Sequence, residues 1–192
     1  MNEAQWVSLM VKRVRALPTF RSRRWQVVSG HRLAYGYEIS AYTRDGEPVA
    51  RTTSFETDLA ILERARDGTY WPRVVIEAKI RSVSTHDAIT YSAKAAAHRS
   101  VHPYLRYGIM LGKRDDYPLP GRLYSHGSMF DFMISFRGFL PSPSEFRRFA
   151  RILRSEVRAS QTLQKIRFDS RKKGRDRYVV LHRKLVVQRA AA

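Results

Sequence analysis

One stretch narrows the fold more than any other: Pro72-Arg-Val-Val-Ile-Glu77-Ala-Lys79-Ile80. Its apolar run is of strand type, yet it carries an acid and a base two residues apart. Side chains alternate between the two faces of a strand, so Glu77 and Lys79 share one face while Ile76, Ala78 and Ile80 share the other. Charge inside a buried strand is costly unless it is partnered. A second strand-type run, Ser54-Phe-Glu-Thr-Asp58-Leu-Ala-Ile, carries another carboxylate about twenty residues earlier. A divalent cation shared by Asp58 and Glu77, with Lys79 beside it, would account for all three charges. Magnesium takes carboxylate and carbonyl oxygens and keeps waters for a phosphate. A cross-strand salt bridge between Lys79 and one acid explains the Glu-x-Lys tripeptide alone more simply.

The surrounding pattern adds to this. Ser84 is placed as an N-cap with Asp87 in capping-box position, opening an alanine-rich helix through Ala88 to Arg99. Arg106 to Leu111 reads as the next strand, so strand, helix and strand predict a right-handed crossover and a parallel pair. On the helix, Asp87, Tyr91, Lys94 and His98 fall on one stripe. That stripe is either a solvated polar face with an internal network or a set of phosphate contacts. Upstream, Trp6, Met10 and Val14 mark an amphipathic helix over residues 2–16, ended by Leu17-Pro18. Arg21 to Tyr42 has strand character, and Arg44-Asp45-Gly46-Glu47 is a turn from which the chain returns into the Asp58 strand. Glu38 lies one hairpin from Asp58 as an additional candidate acid, though an arginine partner across the strand is its simpler role. Glu56 has the same two readings, and Glu3 most simply favours the start of the first helix.

Downstream, residues 113–128 read as a loop whose Asp115-Asp116 pair is solvated, and Phe130 to Phe136 as a fifth strand. His102 falls in a turn. Ser142-Pro143-Ser144-Glu145 opens a long helix with an apolar stripe of Phe146, Phe149, Leu153, Val157 and Leu163. Arg147, Arg148, Arg151, Arg154 and Arg158 cover the rest of it, a surface suited to a DNA backbone. A basic turn over 170–177, including Lys172 and Lys173, precedes a strand-like run from Tyr178 to Val187.

Charge is the dominant global property, with 36 basic against 17 acidic residues and a net +19 over 192 residues. Residues 31–80 hold seven Lys/Arg and eight Asp/Glu (−1), whereas residues 140–192 hold fifteen and four (+11). A basic flank beside an acid-bearing centre fits a phosphate-backbone binder with a metal site. The length and the 43% hydrophobic content fit a single domain with a real core. No run is apolar enough to span a bilayer and no secretory signal is expected, so a cytoplasmic, nucleoid-associated protein is anticipated. With no cysteine, disulfides and cysteine-bound zinc are excluded.

Asp58, the connection, and Glu77-Ala78-Lys79 closing a Val-Val-Ile run resemble the signature of the PD-(D/E)xK nuclease superfamily, with Thr57 where that pattern expects proline. The order of elements over about 33–136 is similar to its core. The resemblance implies an α/β fold of restriction-endonuclease type: a mixed central sheet flanked by helices, here extended by the basic helix and strand of residues 142–192. It implies Asp58, Glu77 and the Ala78 carbonyl as Mg2+ ligands, with Mn2+ substituting, and Asp58, Glu77 and Lys79 as catalytic residues. It also points to Lys94 and Tyr91 as phosphate contacts. The expected activity is metal-dependent hydrolysis of DNA phosphodiesters, with DNA as partner, a homodimer as one option, and no membrane or organic cofactor. The alternative is a non-catalytic nucleic-acid binder whose Asp58, Glu77 and Lys79 form a structural ion-pair cluster; an RNA nuclease is a third reading.

Overall fold

In the computed structural model, the residues described are 1–114, 118–168, 173–174, 178–182 and 185–188. The centre is the strand Tyr70–Ile80, here β5, whose residues from Pro72 to Ala78 are all buried. On one side it pairs antiparallel with β4 (Leu59–Arg64), which pairs in turn with β1 (Trp25–Val28). On the other it pairs in parallel with β6 (Arg106–Gly112), and β6 in parallel with β7 (Phe132–Ser135). The resulting mixed sheet has the order β1-β4-β5-β6-β7. The expected parallel pair is therefore present, joined by the helix α2 (Thr85–Val101).

Each helix forms where its caps and periodicity place it. Ser84 and Asp87 close a reciprocal capping box at α2. Asn2 and Gln5 do the same for α1 (Glu3–Arg15), which buries Trp6, Val7, Met10, Val11 and Val14. The longest helix, α4 (Pro143–Phe168), starts where the Ser142 hydroxyl accepts from the Glu145 N–H and the Glu145 carboxylate accepts from the Ser142 N–H. Helices α1 and α4 cover the sheet face that bears Val74, Ile76 and Ala78. Helix α2 and a short α3 (Gly121–His126) cover the other, which bears Val75, Tyr107, Ile109 and Leu111.

Four expectations change. The long upstream strand run divides into β1 and β2 (His31–Tyr42), and β2 with β3 (Pro48–Thr57) forms a separate two-stranded ribbon outside the main sheet. Asp58 stands at a bend between β3 and β4 rather than within a strand. The loop over 113–128 contains the unanticipated α3. The described residues from Tyr178 to Gln188 have no regular structure, so the anticipated C-terminal strand is absent among them. Their apolar side chains stand exposed. Asp115, Asp116 and Lys172 lie outside the described residues, and Lys173 is exposed.

Candidate catalytic centre at the end of the central strand

Leu59 faces Ile76 in the antiparallel β4–β5 register, so the preceding Asp58 falls opposite Glu77. The bend turns the Asp58 side chain onto the neighbouring backbone, where its Oδ2 accepts from the Ala78 N–H at 2.8 Å. Just before it, Thr57 is buried in the position where the resembling pattern carries proline, and its hydroxyl donates to the His31 carbonyl at 3.0 Å. That bond holds the base of the ribbon in place beside Asp58. Alternation along β5 then puts Glu77 and Lys79 on the α2 side, as expected.

Glu77 is 1% exposed. Its Oε1 accepts from the Tyr107 hydroxyl and from the Lys94 ammonium at 3.0 Å. Burial pushes its carboxyl above the usual range; Lys94 pulls it down and the neighbouring Asp58 pushes it up. Lys79 sits at the rim, 3.6 Å from Asp87 Oδ1 and 3.7 Å from Glu3 Oε1. Partial burial lowers its affinity for a proton, but Tyr91, Glu3 and Asp87 outweigh that and hold the ammonium above its usual pKa. The Tyr91 ring lies between the two lysines, 5.4 Å from Lys79 Nζ and 5.3 Å from Lys94 Nζ. Phe55 of β3 lies 5.4 Å from Lys94 Nζ on the ribbon side.

The stripe of α2 is partly buried and paired with β5. Asp87 meets Lys79, Lys94 meets Glu77, and His98 is wholly buried between Tyr107 and Phe55, its Nδ1 donating to the Ala34 carbonyl at 3.1 Å. Lys94 was expected as a phosphate contact; its ion pair with Glu77 makes it part of the centre. Helix α2 turns this stripe inward because its alanines Ala88 and Ala95 let it lie close to the sheet. Glu38 is placed elsewhere, exposed on the ribbon across from Arg51. Glu56 is exposed and pairs in register with Arg32. His102 caps the far end of α2. Glu3 belongs to the centre through Lys79, a contact no sequence spacing reveals, since it joins residues 76 apart in the chain (79 − 3).

Among the described residues, no group of three or more histidines or acids converges as a metal-binding set. The carboxylate pair has one feature that suits a hard cation. Asp58 and Glu77 each have one oxygen engaged by the protein, Oδ2 and Oε1, while Oδ1 and Oε2 carry no hydrogen bond or ion pair among the described residues. Two carboxylate oxygens and the Ala78 carbonyl would leave most of an octahedral magnesium shell to water and substrate. Arg147, Arg151 and Arg154 are not brought to this centre. They lie on α4, which packs against the opposite sheet face. No protein-family model matches the chain, and no curated protein matches it.

Proposed function

We propose that the chain is a metal-dependent nuclease hydrolysing DNA phosphodiesters, with its centre at Asp58, Glu77 and Lys79. One observation carries the reading: the bend at Asp58 sets its carboxylate against the Ala78 backbone, opposite the buried carboxylate of Glu77. Like charges so close disfavour joint ionisation, and a divalent cation relieves that repulsion. A magnesium ion held by Asp58, Glu77 and the Ala78 carbonyl would polarise the scissile phosphate and lower the pKa of a bound water.

The chain's own groups divide the remaining work. Tyr107 and Lys94 fix the Glu77 carboxylate from behind, so its free oxygen keeps one direction. Lys79, held protonated by Tyr91, Glu3 and Asp87, acts as a cation that orients the attacking water and offsets charge growing on the phosphate oxygens. A non-catalytic binder is the second reading, favoured by one observation: Lys94 already neutralises Glu77 without a metal.

Incubation of plasmid DNA and of RNA with the protein in Mg2+ or Mn2+ separates these readings. Cleavage that falls about 10²–10³-fold in Glu77→Ala and in Lys79→Ala, with binding retained, supports the nuclease. Binding without cleavage of either polymer in any metal assigns the cluster a structural role.

A further inference from the structure

We infer that the outer face of α1 and α4 is a second binding surface for a nucleic-acid backbone, separate from the Asp58–Glu77 centre. This goes beyond the nuclease reading and requires no cleavage. Arg147, Arg151, Arg154 and Arg158 recur at i, i+4, i+7 and i+11, so they form one row along α4. Arg147, Arg151 and Arg158 are exposed and Arg154 is half-buried. None of the four makes a hydrogen bond or ion pair among the described residues. Like charges at this spacing repel one another, so the row costs stability unless an anion lies along it.

The nearby acids are committed elsewhere. Glu145 is buried and accepts from the Ser142 and Arg137 backbone. Glu156 pairs with Arg106 at 2.5 Å, and Glu3 reaches over the sheet end to Lys79. Helix α1 lies alongside, with the Arg13 guanidinium 4.2 Å from the Phe146 ring centroid. Lys12 of α1 is exposed as well. From Arg147 to Arg158 the row spans roughly 16 Å at 1.5 Å per residue, room for several phosphates of one strand.

The apolar stripe of α4 (Phe149, Leu153 and Val157) is buried in the core. No large apolar side chain is exposed between Arg147 and Arg158, so nothing there would enter a lipid bilayer. That favours a phosphodiester backbone over a membrane. The row also cannot serve the phosphate at the centre. Glu77 and Lys94 lie under α2, whereas α4 packs on the face bearing Ile76 and Ala78. A sheet and a helix, roughly 15 Å of protein, stand between the two.

The test is a titration with a short DNA duplex of about 12 base pairs, longer than the ~16 Å row, reading both stoichiometry and salt dependence. The variant Arg147→Gln/Arg151→Gln/Arg158→Gln changes exposed positions only. It is expected to bind one duplex fewer per chain than the wild type, with the slope of log K against log salt smaller by about 2.7 for three lost phosphate contacts. Lys79→Glu is expected to leave that row-bound duplex in place. Unchanged stoichiometry and slope in the triple variant would overturn the inference. So would loss of the same single duplex in both variants, which would mean one continuous tract. Loss confined to phosphatidylserine vesicles, with duplex binding intact, would assign the row to membranes instead. Because every readout is binding, absence of nuclease activity leaves the inference standing.

Discussion

Glu77 has been taken out of water and answered by one ammonium, that of Lys94, at 3.0 Å. Removing that partner strands a buried charge. Lys94→Met should destabilise the fold by about 3 kcal/mol near pH 8, measured by urea denaturation. The penalty should shrink toward pH 5. Glu77 has a folded pKa above its unfolded value, so the native state takes up the proton first and gains stability as pH falls. Adding Glu77→Gln should recover most of the loss, since the charge no longer needs an answer. His98 works with the opposite sign. Burial lowers its pKa from 6.5 to about 4, because the ring stacked on Tyr107 leaves no room for solvent around an imidazolium. The folded protein therefore gives up stability as pH drops from about 6.5 to about 4, by up to roughly 3 kcal/mol. Since Glu77 opposes this trend, the comparison with His98→Phe isolates it. The variant's stability should be flatter than the wild type's across that window. An identical pH profile in the two proteins would assign the loss to other groups.

At the scale of elements, the ribbon β2–β3 and the close approach of α1 to the sheet carry separate expectations. From Gly36 to Thr53 the ribbon is mostly exposed, including Tyr37, Ile39, Tyr42 and Val49, and no second layer among the described residues covers it. A lone two-stranded hairpin is marginal in water. Amides of the ribbon tip should exchange orders of magnitude faster than those of β5 and β6, which span the buried centre. Gly112 ends β6 beneath the Trp6 indole, and a Cβ there would lie 2.5 Å from that ring. Trp6 cannot easily yield, because its Nε1 donates to the Phe139 carbonyl at 2.8 Å. Gly112→Ala should cost about 2 kcal/mol and lower the Tm by about 6 °C, read with Trp fluorescence. Much of this arrangement was legible in the chain because its signals are local. Caps at Ser84 and Ser142, the Trp6–Met10–Val14 stripe and the alternation through Glu77 and Lys79 each depend on residues a few positions apart. What escaped depends on contacts between distant segments. Asp87, Tyr91, Lys94 and His98 read as one stripe, but whether a stripe faces water or the sheet is decided by what packs on it. The described residues of the strand-like run from Tyr178 to Val187 have β propensity but join no ladder, and propensity without a ladder makes no strand. Glu3 joined the centre only through folding.

Across the whole molecule, the sheet divides the charge into two different problems. On the α2 side, acids and bases are matched at close range: Glu77 with Lys94, Asp87 with Lys79, Asp131 with Arg99. On the α1–α4 side, Glu63 pairs with Arg73 and Glu156 with Arg106, while the row Arg147, Arg151, Arg154 and Arg158 makes no ion pair among the described residues. Matched pairs at a half-buried centre are weakly screened, whereas an exposed row acts through counterion release and is screened strongly. Salt should therefore separate the proposed binding at the row from the proposed cleavage at the centre. Between about 50 and 200 mM salt, the affinity for a long duplex should fall by about 10²-fold if four phosphates are neutralised along the row. Over the same range, the single-turnover rate of any cleavage measured at saturating protein should change only severalfold, because the Lys79 and Lys94 pairs are set by short contacts within the protein. Binding and rate declining in parallel would instead mean that the charge doing the holding and the charge doing the chemistry are one set.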